Sequence, residues 1–229
     1  MKRISSHKRP LGAVFSAFLA RAHRGNPAAS IRTEKIYSFP VLRSGVACLV
    51  LQQTEENALS QHYKETLQAL QKLYKLTPRS VVYFLAGSLP FSAYLHIRQL
   101  GLFAMLARQP TCILSSIASY KLGTSADSAK SWFMKIRDLC HMYGLPHPLT
   151  LLQEQPDKEV FKSQVKLSVQ EYWQKTLVGE ADSLHSLTYF KPNFMSLSKP
   201  HPLWTTCGSN PYEVNKACIH PSSLQQGKF

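Results

Sequence analysis

The chain has 229 residues, of which 44% are hydrophobic, and its 27 Lys and Arg against 13 Asp and Glu give a formal net charge of +14. This length and composition exclude a collagen-like or wholly disordered chain and allow one domain or two small ones to bury a core. The basic balance, with a pI near 9.7, favours a polyanionic partner, although a basic surface without a nucleic-acid partner stays an alternative.

The positive charge is concentrated near the start of the chain. Residues 1–33 contain seven basic side chains and no acidic one, and residues 66–126 also lack any carboxylate. Basic side chains that neutralise phosphates release condensed counterions and so bind in a salt-sensitive way. The predicted phosphate contacts are Lys2, Arg3, Lys8, Arg9, Arg21, Arg24 and Arg32.

The same N-terminus has a rival interpretation as a targeting peptide. It combines a basic start, the apolar run LGAVFSAFLA and an Ala-x-Ala arrangement at Ala20 and Ala22, as in secretory or mitochondrial signals. An ordinary packed helix over residues 10–22, with Pro10 in its first turn, fits the spacing as well. Five Cys without dense even spacing favour a reducing compartment, so we expect an intracellular protein, nuclear or cytoplasmic.

Helical spacing of apolar residues continues through the first half of the chain. It predicts a helix over residues 27–39 that Pro40 kinks or ends, and a longer one over residues 55–76 with Tyr74 on its apolar face. Residues 91–108 are apolar nearly all round and predict a central, largely buried helix. His96 within it is expected to be a hydrogen-bonded core histidine.

The second half predicts two more helices. One runs from Trp132 to Tyr143, capped by Asp127 or Ser128 and stopped by Gly144. The other follows Pro156, with acidic residues in its first turn, and is predicted to end at Gly179.

Proline-rich stretches are predicted to be extended. The echoes PHPLT at residues 146–150 and PHPLW at residues 200–204 are interpreted as linkers between helices. Residues 190–212 show no helical period and are expected to wrap over a helical surface, anchored by Phe194, Met195, Leu197 and Trp204.

Together these patterns predict a mainly α fold, an irregular helical bundle with a Pro-rich extended C-terminal segment. Four segments are predicted: a basic segment with a first helix at 1–25, helical regions at 26–126 and 127–189, and the extended tail at 190–229.

The sequence contains no motif for nucleotide hydrolysis or acyl transfer, because neither a Gly-rich phosphate loop nor a G-x-S-x-G elbow is present. Cys140, His141 and His147 are spaced too loosely for a typical zinc site, and Cys140 is better explained as a small buried residue. We therefore predict no metal and no cofactor. Core packing is also favoured over base stacking for several aromatic residues, namely Tyr172, Trp173, Tyr189, Phe190 and Trp204.

Four stretches carry a family resemblance through their order and spacing. They are NPAASIRTEKIYSFPVLRSG (26–45), VVYFLAGSLP with HIRQLGLFAMLAR (81–90 and 96–108), SWFMKIRDLCHMYGLPHPLTLL (131–152) and LTYFKPNFMSLSKPHPLWTTCGSNPYEVNKA (187–217). In these stretches the chain resembles the region downstream of the palm in non-LTR retrotransposon reverse transcriptases. The resemblance implies that residues 26–126 are thumb-like and support template and primer. It also implies a palm upstream and a zinc-binding Cys/His element downstream, whereas residues 218–229 depart from the family pattern.

Polymerase chemistry needs carboxylates held together to clamp two metal ions. The four Asp, at positions 127, 138, 157 and 182, are scattered and form no adjacent pair. We therefore predict a non-catalytic, nucleic-acid-binding fragment of a retroelement RNA-directed DNA polymerase, not an enzyme, with RNA or DNA, best a primed template, as partner. Neither a membrane nor a small-molecule substrate is predicted. The alternative is a protein-interaction module or a functionless helical remnant whose charge is incidental.

Overall fold

The computed structural model describes residues 27–124, 131–184 and 196–206. These residues are mainly helical, as predicted, and contain no strand. The predicted helix at 10–22 and the predicted anchors Phe194 and Met195 lie outside the described residues.

The first helical segment passes through a proline without ending there. Helix α1 (Pro27–Thr33) leads into a π-helical turn (Glu34–Ser38) and then into α2 (Phe39–Arg43). The N–H of Phe39 bonds the carbonyl of Glu34, five residues back. Pro40 has no N–H, and its ring collides with the carbonyl four residues back in a regular α-helix. The wider π turn just before Pro40 relieves this conflict, so the helix continues to Arg43.

The next elements are a 3₁₀ turn (Val46–Cys48) and helices α3 (Gln53–Leu70), α4 (Arg79–Ala86), α5 (Phe91–Ala107) and α6 (Ile113–Thr124). Helix α5 confirms the prediction for residues 91–108 to within one residue. The prediction for residues 55–76 is wrong at its C-terminal end, because α3 stops at Leu70.

Helix α7 (Trp132–Met142) begins later than its predicted caps imply. Its N-cap is Ser131 in extended conformation, and the prediction of Asp127 or Ser128 is wrong. The predicted stop at Gly144 is confirmed: this glycine has φ of 62°, and the N–H of Leu145 bonds the carbonyl of Cys140 at 2.9 Å. Such a left-handed residue with a bond reaching back five positions is the common Schellman end of a helix.

The last helices are α8 (Pro148–Glu154), α9 (Lys158–Asp182) and α10 (Leu203–Thr206). Asp157 is the N-cap of α9, and its Oδ1 accepts the N–H groups of Glu159 and Val160, both at 3.0 Å. These bonds lower the pKa of Asp157. The prediction that Gly179 ends this helix is wrong. A glycine in a helix interior weakens the helix by only about 1 kcal/mol, and the packing of the helical residues before and after Gly179 outweighs this cost.

The two PHPL echoes are helix starts, so their interpretation as extended linkers is wrong. His147 Nδ1 accepts the N–H of Leu149 at 3.3 Å, and His201 Nδ1 accepts the N–H of Leu203 at 3.1 Å. In each copy the histidine takes the capping role usually filled by Ser, Thr, Asp or Asn, and the following proline suits the first turn.

The described chain forms two compact units. The first contains residues 27–44, 57–90, 174–184 and 196–206. Its core includes a row of rings, with centroids 4.8 Å apart for Phe39 and Tyr63 and 6.4 Å apart for Tyr63 and Tyr83. The amide of Gln71 donates to the carbonyls of Leu67 and Val82, at 3.0 and 3.1 Å, and so ties the end of α3 to α4.

The C-terminal described segment packs within this first unit. Trp204 is fully buried, and its indole N–H donates to the carbonyl of Leu85 at 2.8 Å. The backbone N–H of His201 donates to the same carbonyl at 3.1 Å. Leu197 is buried as well. The predicted anchoring role of Leu197 and Trp204, and core packing of Trp204, are confirmed.

The second unit contains residues 45–56, 91–124 and 131–173. Helix α5 lies against the 3₁₀ turn and against α6, α7 and α8, and Phe103 on it is fully buried. The indole N–H of Trp132 donates to the carbonyl of Ala47 at 2.8 Å and so joins the start of α7 to the 3₁₀ turn. The central position predicted for this helix is confirmed within its unit.

Candidate nucleic-acid interface

One of the seven predicted phosphate contacts lies in the described part of the chain. Arg32 is in the last turn of α1, and its side chain is exposed. The other six lie outside the described residues, namely Lys2, Arg3, Lys8, Arg9, Arg21 and Arg24. In the described part of the chain, Arg32 is accompanied by exposed basic side chains that the sequence pattern did not single out.

The connection between α3 and α4 displays basic and apolar side chains together. In this connection, residues 71–78, which we name the 71–78 loop, Lys72 and Lys75 are exposed. Tyr74 and Leu76 are 74% and 80% exposed. The sequence pattern places Tyr74 on the apolar face of a continuing helix, and this is wrong because α3 has already ended. An aromatic ring that lies between two exposed lysines in the sequence is thus open to solvent.

Backbone hydrogen bonds end α3 and begin the loop. The N–H of Leu73 bonds the carbonyl of Gln68 at 2.9 Å, and the N–H of Lys72 bonds that of Ala69 at 3.1 Å. Lys72 has φ of 55°. This is a Schellman motif in which lysine occupies the left-handed position that glycine usually takes. A non-glycine residue in this conformation costs about 1 kcal/mol. Because no glycine marks the position, the sequence gives little sign of the helix end.

The side chain of Gln68 holds the rest of the loop. Its buried amide nitrogen lies 3.4, 3.3 and 3.3 Å from the carbonyl oxygens of Tyr74, Lys75 and Thr77. The N–H of Thr77 also bonds the carbonyl of Tyr74 at 2.9 Å. A glutamine within a helical pattern looks like a solvent-facing residue, so this clamp could not be found from the sequence.

Packing brings the start of α1 and the 71–78 loop to one apolar cluster. The cluster is formed by Val81, Leu85, Leu203 and Trp204, and the partly buried Ala28 and Leu73 pack against it. Arg32 follows Ala28 by one helical turn, which is about 6 Å along the axis. Arg32 is the only described member of the predicted basic set. Within the first unit, it and the loop lysines therefore lie on elements that pack against the same apolar cluster.

The second unit carries a separate basic stripe on α9. Lys158, Lys162 and Lys166 recur every fourth residue, so they lie along one side of the helix, and all three are exposed. Glu159 lies 4.0 Å from Lys158 and 3.2 Å from Lys162. Exposed pairs of this kind contribute at most about 1 kcal/mol and leave the lysines able to bind another anion.

The most connected polar group in the second unit is buried. Glu56 Oε1 lies 3.3 Å from His96 Nε2, and Glu56 Oε2 lies 2.8 Å from Lys135 Nζ. His96 Nδ1 lies 2.7 Å from the Tyr143 hydroxyl, which accepts the indole N–H of Trp173 at 3.2 Å. The prediction that His96 is a hydrogen-bonded core histidine is confirmed.

His96 therefore links the two other groups: its Nε2–H donates to the Glu56 carboxylate, and its Nδ1 lies within hydrogen-bond distance of the Tyr143 hydroxyl. Burial opposes ionisation of Glu56, but hydrogen bonds from His96 and Lys135 outweigh it and lower the pKa of the carboxyl to about 2. Burial raises the pKa of the Tyr143 hydroxyl. A carboxylate, an imidazole and a hydroxyl in series resemble a proton relay, but here the hydroxyl is buried and stays protonated.

A cleft in the second unit, of about 520 Å³, is lined by Arg137, Asp138, Cys140, His141, Leu145 and His147. Burial raises the pKa of the Cys140 thiol to about 12, so the thiol is not a nucleophile at neutral pH. Across the described residues, no group of three His, Cys, Asp or Glu is arranged to hold a metal ion.

Comparison with known proteins identifies no relative. No family model, no curated protein and no solved structure matches the chain. Among the helices that the structure describes, none taken singly has both the length and the apolar character needed to cross a bilayer.

Proposed function

We propose that the chain is a non-catalytic, helical nucleic-acid-binding protein. Its resemblance to the region after the palm in non-LTR retrotransposon reverse transcriptases supports a fragment of that kind of polymerase, with a primed template as the preferred partner. The charged surface and the 71–78 loop support binding independently of that resemblance.

The observation that carries the proposal is that some acidic side chains are buried, whereas the basic side chains are not. Of the 17 Lys and Arg in the described residues, none is buried. Of the 11 Asp and Glu in the same residues, Glu34 and Glu56 are buried, which leaves nine at the surface. The surface is therefore more basic than the composition indicates, and such a surface attracts polyanions, of which nucleic acid is one.

The buried polar groups support binding over catalysis. The Cys140 thiol and the Tyr143 hydroxyl, two potential nucleophiles, are buried, and burial raises the pKa of both. The Glu56 carboxylate is already engaged by His96 and Lys135. These groups have the surroundings of a structural network, since each is paired with or packed against protein.

The test is binding of the purified protein to single-stranded RNA, duplex DNA and a primed template across a salt series. We expect log affinity to fall linearly with log salt, since each phosphate contact releases counterions. Preference for the primed template would support a retained thumb role. A folded sample with no salt-dependent binding to any of the three would refute the proposal.

A matched pair of variants in α9 tests the lysine stripe. The triple substitution Lys158→Gln, Lys162→Gln and Lys166→Gln should reduce the salt slope by about 1 for each phosphate that is no longer neutralised. The control substitutes the exposed neighbours, Ser163→Ala and Gln164→Ala, on the same helix, and should leave the slope unchanged. If the two variants show equal salt slopes, the lysine stripe is not part of the interface.

A second candidate function, docking of a protein partner, is favoured by helix α6. Its small residues Ser115 and Ala118 are buried, whereas Ile113, Leu114 and Ile117 are exposed. Positions 113, 117, 120 and 121 fall on one side of a helix, so the exposed stripe is apolar and includes Lys121. Because residues 66–126 contain no carboxylate, the partner that fits is an acidic amphipathic helix. A second copy would bring like charges together.

Binding of a synthetic acidic amphipathic peptide, followed by calorimetry, tests this second function. Ile117→Glu should abolish binding, while Ser119→Glu, the same charge change off the stripe, should not. If the peptide does not bind and Ile117→Glu instead alters sedimentation, the partner that covers the exposed stripe of α6 is a second copy of this chain.

A further inference from the structure

We propose that the 71–78 loop binds single-stranded nucleic acid, with the Tyr74 ring stacked on an unpaired base and with Lys72 and Lys75 contacting the flanking phosphates. The inference rests on the proposed function and adds to it the type of strand and the residues in contact.

The outward position of Tyr74 follows from its neighbour. Leu73 is partly buried and packs against the cluster of Val81, Leu85, Leu203 and Trp204. Its N–H also bonds the carbonyl of Gln68. With Leu73 held against the core, the next side chain is directed away from it. The exposure of Tyr74 is therefore a consequence of the packing.

Tyr74 and Leu76 make an apolar surface that the fold does not use. Their exposed fractions, 74% and 80%, are among the highest of the large apolar side chains in the described residues. A tyrosine ring offers a flat face for stacking and a hydroxyl that tolerates water. Stacking on such a ring tolerates any base, because every base has a π face.

The loop is organised before any ligand arrives. Gln68 lies within hydrogen-bond distance of the carbonyls of Tyr74, Lys75 and Thr77. Lys72 is held in the left-handed conformation by the bonds that end α3. A backbone that is already fixed loses little conformational entropy on binding, so more of the contact energy appears as affinity.

The charge around Tyr74 favours a polyanion. Lys72 occupies a position where glycine would be more stable, so a cation is present there in spite of the backbone preference. Lys75 directly follows Tyr74 and is exposed. Arg79, at the start of α4, adds a further positive charge next to the loop, since its guanidinium is in an exposed pair, 3.1 Å from the Glu180 carboxylate, and can still attract another anion.

A single strand fits this loop better than a duplex. In a duplex each base face is covered by its neighbours, so an aromatic ring can stack only at an end or a gap. The loop lysines can contact phosphates of either form. Tyr74 should therefore contribute to binding of single strands and contribute nothing to binding of duplex interiors.

Fluorescence anisotropy with labelled oligothymidine and oligouridine of about 15 nucleotides, and with a duplex of equal charge whose ends are closed by non-nucleotide linkers, tests the inference. Tyr74→Ala should weaken single-strand binding roughly 5- to 100-fold, the effect of losing one stacked base, and leave duplex binding unchanged. Tyr74→Phe should retain single-strand binding. Lys72→Gln with Lys75→Gln should weaken both forms and lower the salt slope.

Tyr120→Ala is the matched control, because Tyr120 is a similarly exposed tyrosine, at 66%, on α6 in the other unit. Equal losses for Tyr74→Ala and Tyr120→Ala, or no loss for Tyr74→Ala while the wild-type protein binds, would overturn the loop assignment and leave the proposed function standing. Failure of the wild-type protein to bind any strand at low salt would overturn both. Circular dichroism confirms that each variant is folded before binding is compared.

Discussion

Histidine side chains act as helix caps at two places in this chain, each within the tetrapeptide Pro-His-Pro-Leu. His147 is exposed, whereas His201 is partly buried beside the segment that Trp204 anchors. A histidine can accept the capping N–H only through an unprotonated Nδ1. The cap formed by the partly buried His201 is therefore expected to depend on pH.

Stability of the first unit should fall in mild acid through His201. Burial lowers the pKa of folded His201 below its ordinary value of 6.5. The unfolded chain then binds more protons below pH 6.5, so stability present above that pH is lost as pH falls towards the folded pKa. We expect His201→Asn, which keeps a capping oxygen, to flatten the decline in Tm between about pH 7.5 and about pH 5.

The control is Ser198→Asn, a change at an exposed position of the same segment that adds and removes no titratable group. It should leave the pH profile of Tm as in the wild-type protein. An unchanged profile for His201→Asn would show that the acid sensitivity has another source.

The buried pair of Glu56 and His96 predicts a second residue-level effect. His96→Phe removes one partner of the Glu56 carboxylate, which keeps Lys135. It also removes one partner of the Tyr143 hydroxyl, which keeps Trp173. Loss of a hydrogen bond to a charged group costs about 1.5–3 kcal/mol. Tyr143→Phe removes one hydroxyl and should cost about 1 kcal/mol.

Urea unfolding of the two single variants and the double variant measures these costs. The double variant should lose less than the sum, since the two side chains share one hydrogen bond. Additive losses would mean that His96 and Tyr143 do not interact in solution.

At the scale of elements, helix ends decide which surfaces the chain presents. Helix α4 ends at Gly87, whose φ of 54° suits glycine. The N–H of Ser88 bonds the carbonyl of Tyr83 at 3.1 Å, as in the Schellman ends of α3 and α7. A Cβ on Gly87 would overlap the backbone of Lys199 and Pro200. The same glycine therefore ends a helix and admits the C-terminal described segment.

Gly87→Ala should release that segment. The left-handed conformation alone costs about 1 kcal/mol, and the overlap forces Lys199 and Pro200 away from α4. We expect lower stability and stronger acrylamide quenching of tryptophan fluorescence, because Trp204 leaves its buried site.

Gly179→Ala provides the comparison for this variant. Gly179 lies inside α9 with open space around its Cα, so alanine there should stabilise the helix by about 0.5–1 kcal/mol. Similar quenching in both variants would contradict the role assigned to Gly87.

For the whole molecule, the balance of charge is the dominant property. A formal charge of +14 on 229 residues disfavours the folded state through self-repulsion at low ionic strength. Salt screens this repulsion, since the Debye length shrinks from tens of ångströms to a few. The same screening weakens binding to a polyanion, so stability and affinity should respond to salt in opposite directions.

We expect Tm of the free protein to rise as NaCl is increased from about 20 mM to about 300 mM. The α9 variant with three Lys→Gln substitutions carries less positive charge and should show a smaller rise. A Tm that falls or stays constant would mean that attractive ion pairs outweigh the repulsion.

Much of the helical fold could be predicted from the sequence, but little of the candidate site could. Helices α5 and α7 were predicted well because apolar periodicity is a local property, and Trp204 was identified as an anchor because a large apolar residue in a polar, proline-rich stretch has few other uses. The loop site could not be predicted in this way. Its lysines and tyrosine fall within a continuing helical pattern.

By itself, the sequence determined that the chain is helical and basic, since periodicity and net charge depend only on the order and kind of residues. Only the tertiary structure decided that α3 stops at Leu70, that Gln68 turns inward to the loop carbonyls and that Tyr74 faces solvent. The reason is that these outcomes depend on the packing of Leu73 against the cluster that contains Leu85 and Trp204. Trp204 is more than a hundred residues away in the chain, and no local pattern contains that contact.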